Sequence, residues 1–193
     1  MKLLSCCLVT MGLLSTPVAN AFDNERRGFV IGLGAGLHTL DIDYKYSGEL
    51  LASQSEKGIA TSFKIGFGVT NQFLVYYVRK ASWFNAPVFD GVSVSDTTII
   101  SGISGIGVSY YLSGSAPSAY FLGAFGIGDL SAPFESAIET DTGSAYMFGA
   151  GYEVSEHVQF EATILKTNID SKDDANFVLE SSSIQFTANY LWY

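Results

Sequence analysis

The stretch SAYMFGAGYEVSEHVQFEATILKTNI, residues 144–169, alternates large apolar side chains with small or polar ones on both sides of a short turn. In its first half, the apolar face holds Tyr146, Phe148, Ala150 and Tyr152, opposite Met147, Gly149, Gly151 and Glu153. In its second half, the apolar face holds Val158, Phe160, Ala162 and Ile164, opposite Gln159, Glu161 and Thr163. Successive side chains of a β-strand point to opposite faces, so this period predicts two strands joined at residues 154–156.

The same alternation recurs along the chain. It is clear at residues 29–39, 59–70 and 182–193, and less clear at 73–84, 98–112 and 119–129. In the last of these segments, two sets of side chains compete for the outer face: Phe121, Phe125 and Ile127 against Tyr120, Leu122 and Ala124. Together with the opening pair, these segments predict eight antiparallel strands.

The connections between these strands alternate in length. Short turns are predicted at residues 70–72, 113–118 and 154–156, and long loops at 41–57, 85–96, 130–141 and 170–180, which hold most of the acidic residues. Short periplasmic turns and longer outer loops are typical of transmembrane β-barrels, which keep charge away from lipid. Closure also satisfies every backbone polar group in hydrocarbon. The sequence therefore predicts an all-β fold: an eight-stranded antiparallel up-and-down transmembrane β-barrel with both termini in the periplasm.

The N-terminus indicates export. Lys2 precedes an apolar run at residues 3–14, and Ala19-Asn20-Ala21 gives the small-x-small pattern of a signal-peptidase site. We expect residues 1–21 to be a cleaved secretory signal peptide and residues 22–193 to be the barrel domain. An uncleaved helical anchor and a lipoprotein modified at Cys6 are the alternatives, disfavoured by Pro17 and by the early position of that cysteine.

Composition excludes several classes of protein. Both cysteines, Cys6 and Cys7, fall in the signal peptide, so the mature chain has no disulfide and no cysteine metal site. Without Lys2, nine Lys and Arg face nineteen Asp and Glu, a net charge of −10. Nucleic acid requires basic patches, so we expect no nucleic-acid partner.

The aromatic residues favour the two membrane borders, where amphipathic rings are enriched. The strand positions predict one girdle near the periplasmic ends, consisting of Phe29, Phe73, Tyr110, Tyr111, Tyr120, Tyr152, Tyr190 and Trp192. They predict a second girdle near the outer ends, consisting of Tyr44, Tyr46, Trp83 and Phe84.

Four charged residues are predicted to form a polar network inside the barrel: Lys64, Arg79, Glu153 and Glu161. An eight-stranded barrel is just wide enough for its own side chains. Buried charges there must pair, so we expect Lys64 or Arg79 to contact Glu161. The network predicts a structural plug, and a gate for small solutes is the alternative.

The remaining candidates for chemistry are weak, and we predict no catalytic, cofactor-binding or metal-binding residue. His38 is expected near the outer rim and His157 near a periplasmic turn, too far apart to share a metal, and neither has a hydroxyl at the spacing that nucleophilic catalysis requires. Gly32-x-Gly34 and Gly126-x-Gly128 lack the third glycine of a dinucleotide fingerprint. Asp170, Asp173 and Asp174 do not match a calcium loop, so a solvated acidic loop is expected, with cation bridging to lipopolysaccharide as the alternative.

Three segments of the chain resemble the small outer-membrane barrels of the OmpA/OmpX type. These are the glycine-rich opening strand at residues 28–36, the hairpin at 148–162 and the aromatic C-terminus Tyr190-Leu191-Trp192-Tyr193. The resemblance implies that Tyr190, Trp192 and Tyr193 form the signal read by the barrel assembly machinery. In the family the terminal aromatic faces lipid, whereas the alternation here places Trp192 outward and Tyr193 inward.

The family hosts many functions, so the resemblance leaves the role open. We expect a monomeric, non-enzymatic integral protein of the outer membrane, with a structural or adhesin-like role. Its expected partners are outer-membrane lipid and lipopolysaccharide, the assembly machinery, and host or surface ligands bound by the four outer loops. A lipid A-modifying enzyme and a narrow passive channel are the alternatives.

Overall fold

The computed structural model describes residues 25–90, 93–134, 141–170 and 176–193. The predicted signal peptide, residues 1–21, lies outside them. The described residues form eight strands: β1 (Gly28–Tyr46), β2 (Glu49–Gly68), β3 (Phe73–Asp90), β4 (Ser93–Tyr111), β5 (Ser118–Ser131), β6 (Asp141–Ser155), β7 (Val158–Asp170) and β8 (Phe177–Trp192). In the described part of the chain, no helix is long and apolar enough to cross a membrane.

The strands close into an antiparallel barrel in chain order, with β8 paired to β1. The register can be followed around the wall from Ile31 on β1, through each strand in turn, back to β1 at Asp41, ten residues further along. This stagger over eight strands corresponds to a strand tilt of about 40° from the barrel axis. The predicted fold class is confirmed.

The outer wall is an apolar belt. Large side chains on it are more than half exposed, among them Leu33, Leu37, Phe67, Phe125, Phe148 and Phe186. A continuous apolar surface of this extent is unfavourable in water and suits the hydrocarbon of a membrane. The ambiguous facing of β5 is resolved, because Phe121, Phe125 and Ile127 point outward while Tyr120 and Leu122 are buried inside.

The two ends of the barrel differ. At the turn end, short connections join β2 to β3, β4 to β5 and β6 to β7, as predicted. At the hairpin end, two of the predicted long loops are wrong. Residues 41–57 continue β1 and β2 to a tight turn at Ser47 and Gly48, which have φ angles of 49° and 86°. Most of residues 85–96 likewise belongs to β3 and β4.

The other two predicted loops are shorter than expected. Strand β5 extends to Ser131 and β6 begins at Asp141, while β7 ends at Asp170 and β8 begins at Phe177. Residues 135–140 and 171–175, including Asp173 and Asp174, lie outside the described residues. The four loops were predicted too long because polar side chains begin where the strands leave the lipid. The hydrogen-bonded ladder continues beyond that point wherever a partner strand remains in register.

Side chains fill the interior of the barrel. Toward the hairpin end, an apolar cluster consists of Leu40, Ile42, Phe84, Ile169 and Leu179. Phe84, Tyr111 and Tyr120 were predicted in the aromatic girdles and are instead buried inside, where the two tyrosine rings stack 4.5 Å apart. Their inward facing follows from the strand phase, which places Trp83, Tyr110 and Phe121 on the outer wall.

Candidate functional site

The first part of the interior network closes the turn end. Arg26, just before β1, donates from Nε to Glu153 Oε2 at 2.8 Å, and its guanidinium lies 4.1 Å from the centre of the Tyr111 ring. Arg26 also donates to the carbonyl oxygens of Asn71 (2.7 Å) and Ser113 (2.9 Å), in two of the turns. One buried cation thus ties β1, β6 and two turns together.

Glu153 has further partners from the end of the chain. Its Oε1 accepts hydrogen bonds from the Tyr193 hydroxyl at 2.9 Å and from Gln159 Nε2 at 3.1 Å. Tyr193 is therefore inside the barrel, while Tyr190 is exposed on the outer wall. The inward facing predicted for the terminal tyrosine is confirmed, and the predicted role of Tyr190, Trp192 and Tyr193 in assembly stays a prediction.

The second part of the network lies deeper in the barrel. Lys64 forms an ion pair with Glu161, as expected, and Lys80 donates to the other oxygen of the same carboxylate at 3.1 Å. The Tyr120 hydroxyl donates to Glu161 at 2.9 Å. All four residues are buried. Glu161 therefore holds two lysines that would otherwise be unpaired charges in a low-dielectric interior.

Arg79 is not part of this network. Its side chain lies on the outer wall, where it forms a bidentate pair with Asp129, including Nη2 to Oδ2 at 2.7 Å. Gly102, on the strand between them, leaves room, because an added Cβ would lie 2.9 Å from Arg79 Nη1. The inward residue is its neighbour Lys80, which sequence reasoning missed because β3 carries large side chains on both faces. Asp129 was an available signal, since it shares the outward phase of Phe125 and Ile127.

The rest of the lumen is packed with small hydroxyl residues. Ser82 accepts a hydrogen bond from Gln185 Nε2 at 2.9 Å and contacts Ser183 Oγ at 3.0 Å, and the hydroxyls of Thr167 and Ser181 are 2.7 Å apart. These layers lie between the charged network and the apolar cluster. The described interior therefore has the character of a plug.

The two histidines lie at opposite ends of the barrel. His38 Nε2 is 3.0 Å from the Trp83 carbonyl oxygen, and its Nδ1 is buried without a partner. His157 Nδ1 is 2.9 Å from the Leu191 carbonyl oxygen. Within the described ranges neither imidazole hydrogen-bonds a hydroxyl, and no group of three or more His, Asp or Glu side chains could hold a metal ion.

The hairpin end holds a different candidate site. The ladder between β2 and β3 ends at Ile59–Trp83, whereas β1 and β2 stay paired as far as Tyr46–Glu49. Residues 49–58 of β2 are therefore a strand with one edge unpaired by β3. At the tip beside the turn, Leu50 is 58% exposed and Leu51 is 63% exposed. We refer to residues 41–57 as the projecting hairpin.

Solved structures of known proteins have a similar arrangement of strands. Ail, the attachment invasion locus protein of Yersinia pestis, matches 84% of this chain and 98% of its own, with a TM-score of 0.55 and 14% identity. Neisserial surface protein A matches 84% of this chain and 96% of its own, with a TM-score of 0.50 and 15% identity. The fold is that of the small outer-membrane β-barrels. This likeness confirms the resemblance to such barrels as one of fold.

A second structure of Ail, in complex with the heparin analogue sucrose octasulfate, matches 85% of this chain and 99% of its own, with a TM-score of 0.53 and 15% identity. No family model and no curated protein matches the sequence. The similarity therefore lies in the arrangement of strands.

Proposed function

We propose that this chain is an integral outer-membrane protein that presents the projecting hairpin at the cell surface to bind a partner surface. In this orientation the turn end faces the periplasm and the hairpin end faces outward. The observation that carries the proposal is the unpaired edge of β2 at residues 49–58, where the β2–β3 ladder has already ended. The barrel, embedded in the membrane, holds this edge in a fixed direction away from the membrane.

An unpaired strand edge is a template for pairing with another chain. The edge here continues into an apolar tip that contains Tyr46, Leu50 and Leu51, all exposed. Tyrosine is one of the residue types that carry most of the energy in protein interfaces, and the two leucines add apolar area that a partner would remove from water. Edge and tip together fit a protein partner that adds a strand and covers the two leucines.

Charge narrows the partner class. Asp41, Asp43, Glu49 and Glu56 lie in the projecting hairpin, with only Lys45 and Lys57 to offset them. An acidic surface repels sulfated sugars, so the heparin analogue bound by Ail is a poor guide to the ligand here. The favoured partner is a neutral or basic protein surface.

The two rival functions have less support. A channel requires a continuous water path, and the described lumen contains the buried pairs Arg26–Glu153 and Lys64–Glu161 followed by an apolar cluster. A lipid-modifying enzyme requires a base within reach of a hydroxyl, and both imidazoles contact backbone carbonyls instead. These contacts support the binding function over both alternatives.

An adherence assay tests the proposal. The chain is expressed on a non-adherent Gram-negative host, and attachment to cultured epithelial cells and to bacteria of the same strain is counted. We expect the double variant Leu50→Asp, Leu51→Asp to lose attachment by about tenfold or more, because two exposed apolar anchors become charged.

A matched control separates the tip from general surface polarity. Phe134, which follows β5, is 75% exposed, and Phe134→Asp changes a comparable apolar side chain outside the projecting hairpin. Equal amounts of folded barrel are verified by its heat-dependent gel shift. Equal attachment by the double variant and the parent would overturn the proposed function.

A further inference from the structure

Lys57 occupies a distinctive position on the outer wall. It faces outward on β2, opposite Thr39 of β1 and two residues beyond Ile59, toward the hairpin end. Its side chain is exposed, and no ion pair involves it within the described ranges. In a chain with so few cations, an unpaired lysine at this level is a local exception to the acidic hairpin end.

Lys57 stands where the apolar belt ends. On the same two strands, Leu37 and Ile59 are exposed apolar side chains, and the next outward residues, Thr39 and Lys57, are polar. Trp83 pairs with Ile59 and donates from its indole Nε1 to Thr61 Oγ1 at 2.8 Å. Tryptophan prefers the border between hydrocarbon and headgroups, which places the Lys57 ammonium at headgroup level.

Two grooves descend from Lys57 into the belt, one on either side of Ile59. The first, of about 480 Å³, lies between β2 and β3 and is lined by Ile59, Thr61, Trp83 and Thr98. The second, also of about 480 Å³, runs across β1 toward β8 and is lined by Leu37, Thr39, Ile184 and Phe186. Lys57, Gly58 and Ile59 border both grooves.

The first groove exists because of the end of the β2–β3 ladder. Beyond Ile59–Trp83 the two strands are no longer paired, and the wall opens beside Lys57. In the second groove, the short Thr39 side chain lies opposite the larger Ile184 and two residues from the larger Leu37. The Lys57 ammonium therefore lies above two apolar grooves that are separated by the Ile59 side chain.

We propose that this surface binds a phosphorylated, multiply acylated lipid of the lipid A type, with a phosphate on Lys57 and acyl chains in the two grooves. A lysine ammonium is a point charge suited to a phosphate oxygen. Two grooves meeting below one cation match a headgroup that carries several chains. Binding at this site is lateral, within the membrane, and does not involve the tip of the projecting hairpin.

A second outward-facing lysine, on β7 beyond β1 and β8, offers a contrast in charge. Lys166 also faces outward, in a polar pocket of about 320 Å³ that it shares with Asp41, Asp43 and Glu180. Glu180 is already paired with Lys45, and Asp41 and Asp43 still outnumber Lys166, so a phosphate is repelled and the same lipid is not expected there. Lys166 is therefore a matched control for the loss of an exposed positive charge.

Trp83 gives the experiment its reporter. The chain has two tryptophans, Trp83 and Trp192, so Trp192→Phe leaves the indole beside the site as the single one. The mature protein is reconstituted in nanodiscs of brominated phosphatidylcholine, which quenches Trp83. Bisphosphorylated lipid A is then added, and the mole fraction that gives half of the fluorescence recovery is measured.

We expect Lys57→Gln to raise that mole fraction about tenfold, because a charge-assisted contact is lost. Lys57→Arg is expected to stay within about twofold of the parent, since it retains the charge, and so is Lys166→Gln. Fully dephosphorylated lipid A is expected to displace the brominated lipid no better than plain phosphatidylcholine does. Folding of each variant is verified by its heat-dependent gel shift.

Three results would overturn the site. One is an equal effect of Lys57→Gln and Lys166→Gln, which would indicate a general charge effect. Another is equal displacement by dephosphorylated lipid A, which would remove the phosphate from recognition. The third is a loss in Lys57→Arg as large as that in Lys57→Gln. Each outcome is independent of adherence by the projecting hairpin.

Discussion

Replacing Glu161 with glutamine tests whether the interior network stabilises the barrel by pairing charge. Glu161 is contacted by Lys64, by Lys80 at 3.1 Å and by the Tyr120 hydroxyl at 2.9 Å. Glutamine has nearly the same shape and still offers one oxygen to Tyr120. The substitution therefore removes chiefly the negative charge that two buried lysines share.

The expected loss of stability is large. Removing one partner of a buried ion pair leaves an uncompensated charge and costs about 3–5 kcal/mol. Lys80→Met is expected to cost less stability than Glu161→Gln, because it leaves one positive and one negative charge, Lys64 and Glu161, paired with each other. In the Glu161→Gln background, Lys80→Met should restore part of the lost stability by removing one unpaired cation.

The control is the same chemical change at a partly exposed pair. Lys45 Nζ lies 2.7 Å from Glu180 Oε1, and both side chains are accessible. We expect Glu180→Gln to cost less than about 1 kcal/mol, since solvent screens such pairs. The free energy of unfolding is measured by urea titration of the mature barrel in phosphatidylcholine vesicles, followed by tryptophan fluorescence. A difference below about 1 kcal/mol between the two variants would refute the charge-pairing argument.

Two further predictions concern the wall of the barrel, and the same urea titration measures both. Asp129→Leu leaves Arg79 unpaired on the lipid face and should destabilise the barrel by about 2–4 kcal/mol. Adding Arg79→Leu should recover most of that loss. A double variant no more stable than the single one would count against the pairing. Gly36→Ala should prevent folding or destabilise strongly, because a Cβ there would overlap the Phe186 carbonyl oxygen, while Gly123→Ala meets nothing nearer than 3.7 Å and should be tolerated. Equal stability of the two alanine variants would contradict this packing argument.

Much of the architecture was accessible from sequence because its causes are local. Alternation along single strands predicted the strand segments. The short turns predicted which pairs of strands, β2–β3, β4–β5 and β6–β7, are joined at the turn end of the barrel. The pair Lys64–Glu161 was predictable because both residues sit opposite clear apolar faces in strands of unambiguous phase. The same reasoning placed Tyr193 inside the barrel, where it is buried.

The errors arose where facing or pairing depends on distant residues. Arg79 and Lys80 are adjacent, so one must point inward and the other outward, and β3 itself carries large side chains on both faces. The partners decide between them: Asp129, 50 residues away, pairs with Arg79 outside, and Glu161, 81 residues away, pairs with Lys80 inside. Arg26 was not predicted as part of the network because it precedes β1, where no strand alternation indicates which way a side chain faces.

The sequence by itself determined an eight-stranded barrel with an apolar exterior, because strand period and the exclusion of charge from lipid act residue by residue. The tertiary structure decided which cations face inward and that residues 41–57 form a projecting hairpin. It also decided where β2 loses contact with β3, which creates both the unpaired edge and the groove beside Lys57. The physical reason is that register, closure and long-range charge pairing are set by neighbouring strands, and no single segment encodes where its neighbours stop.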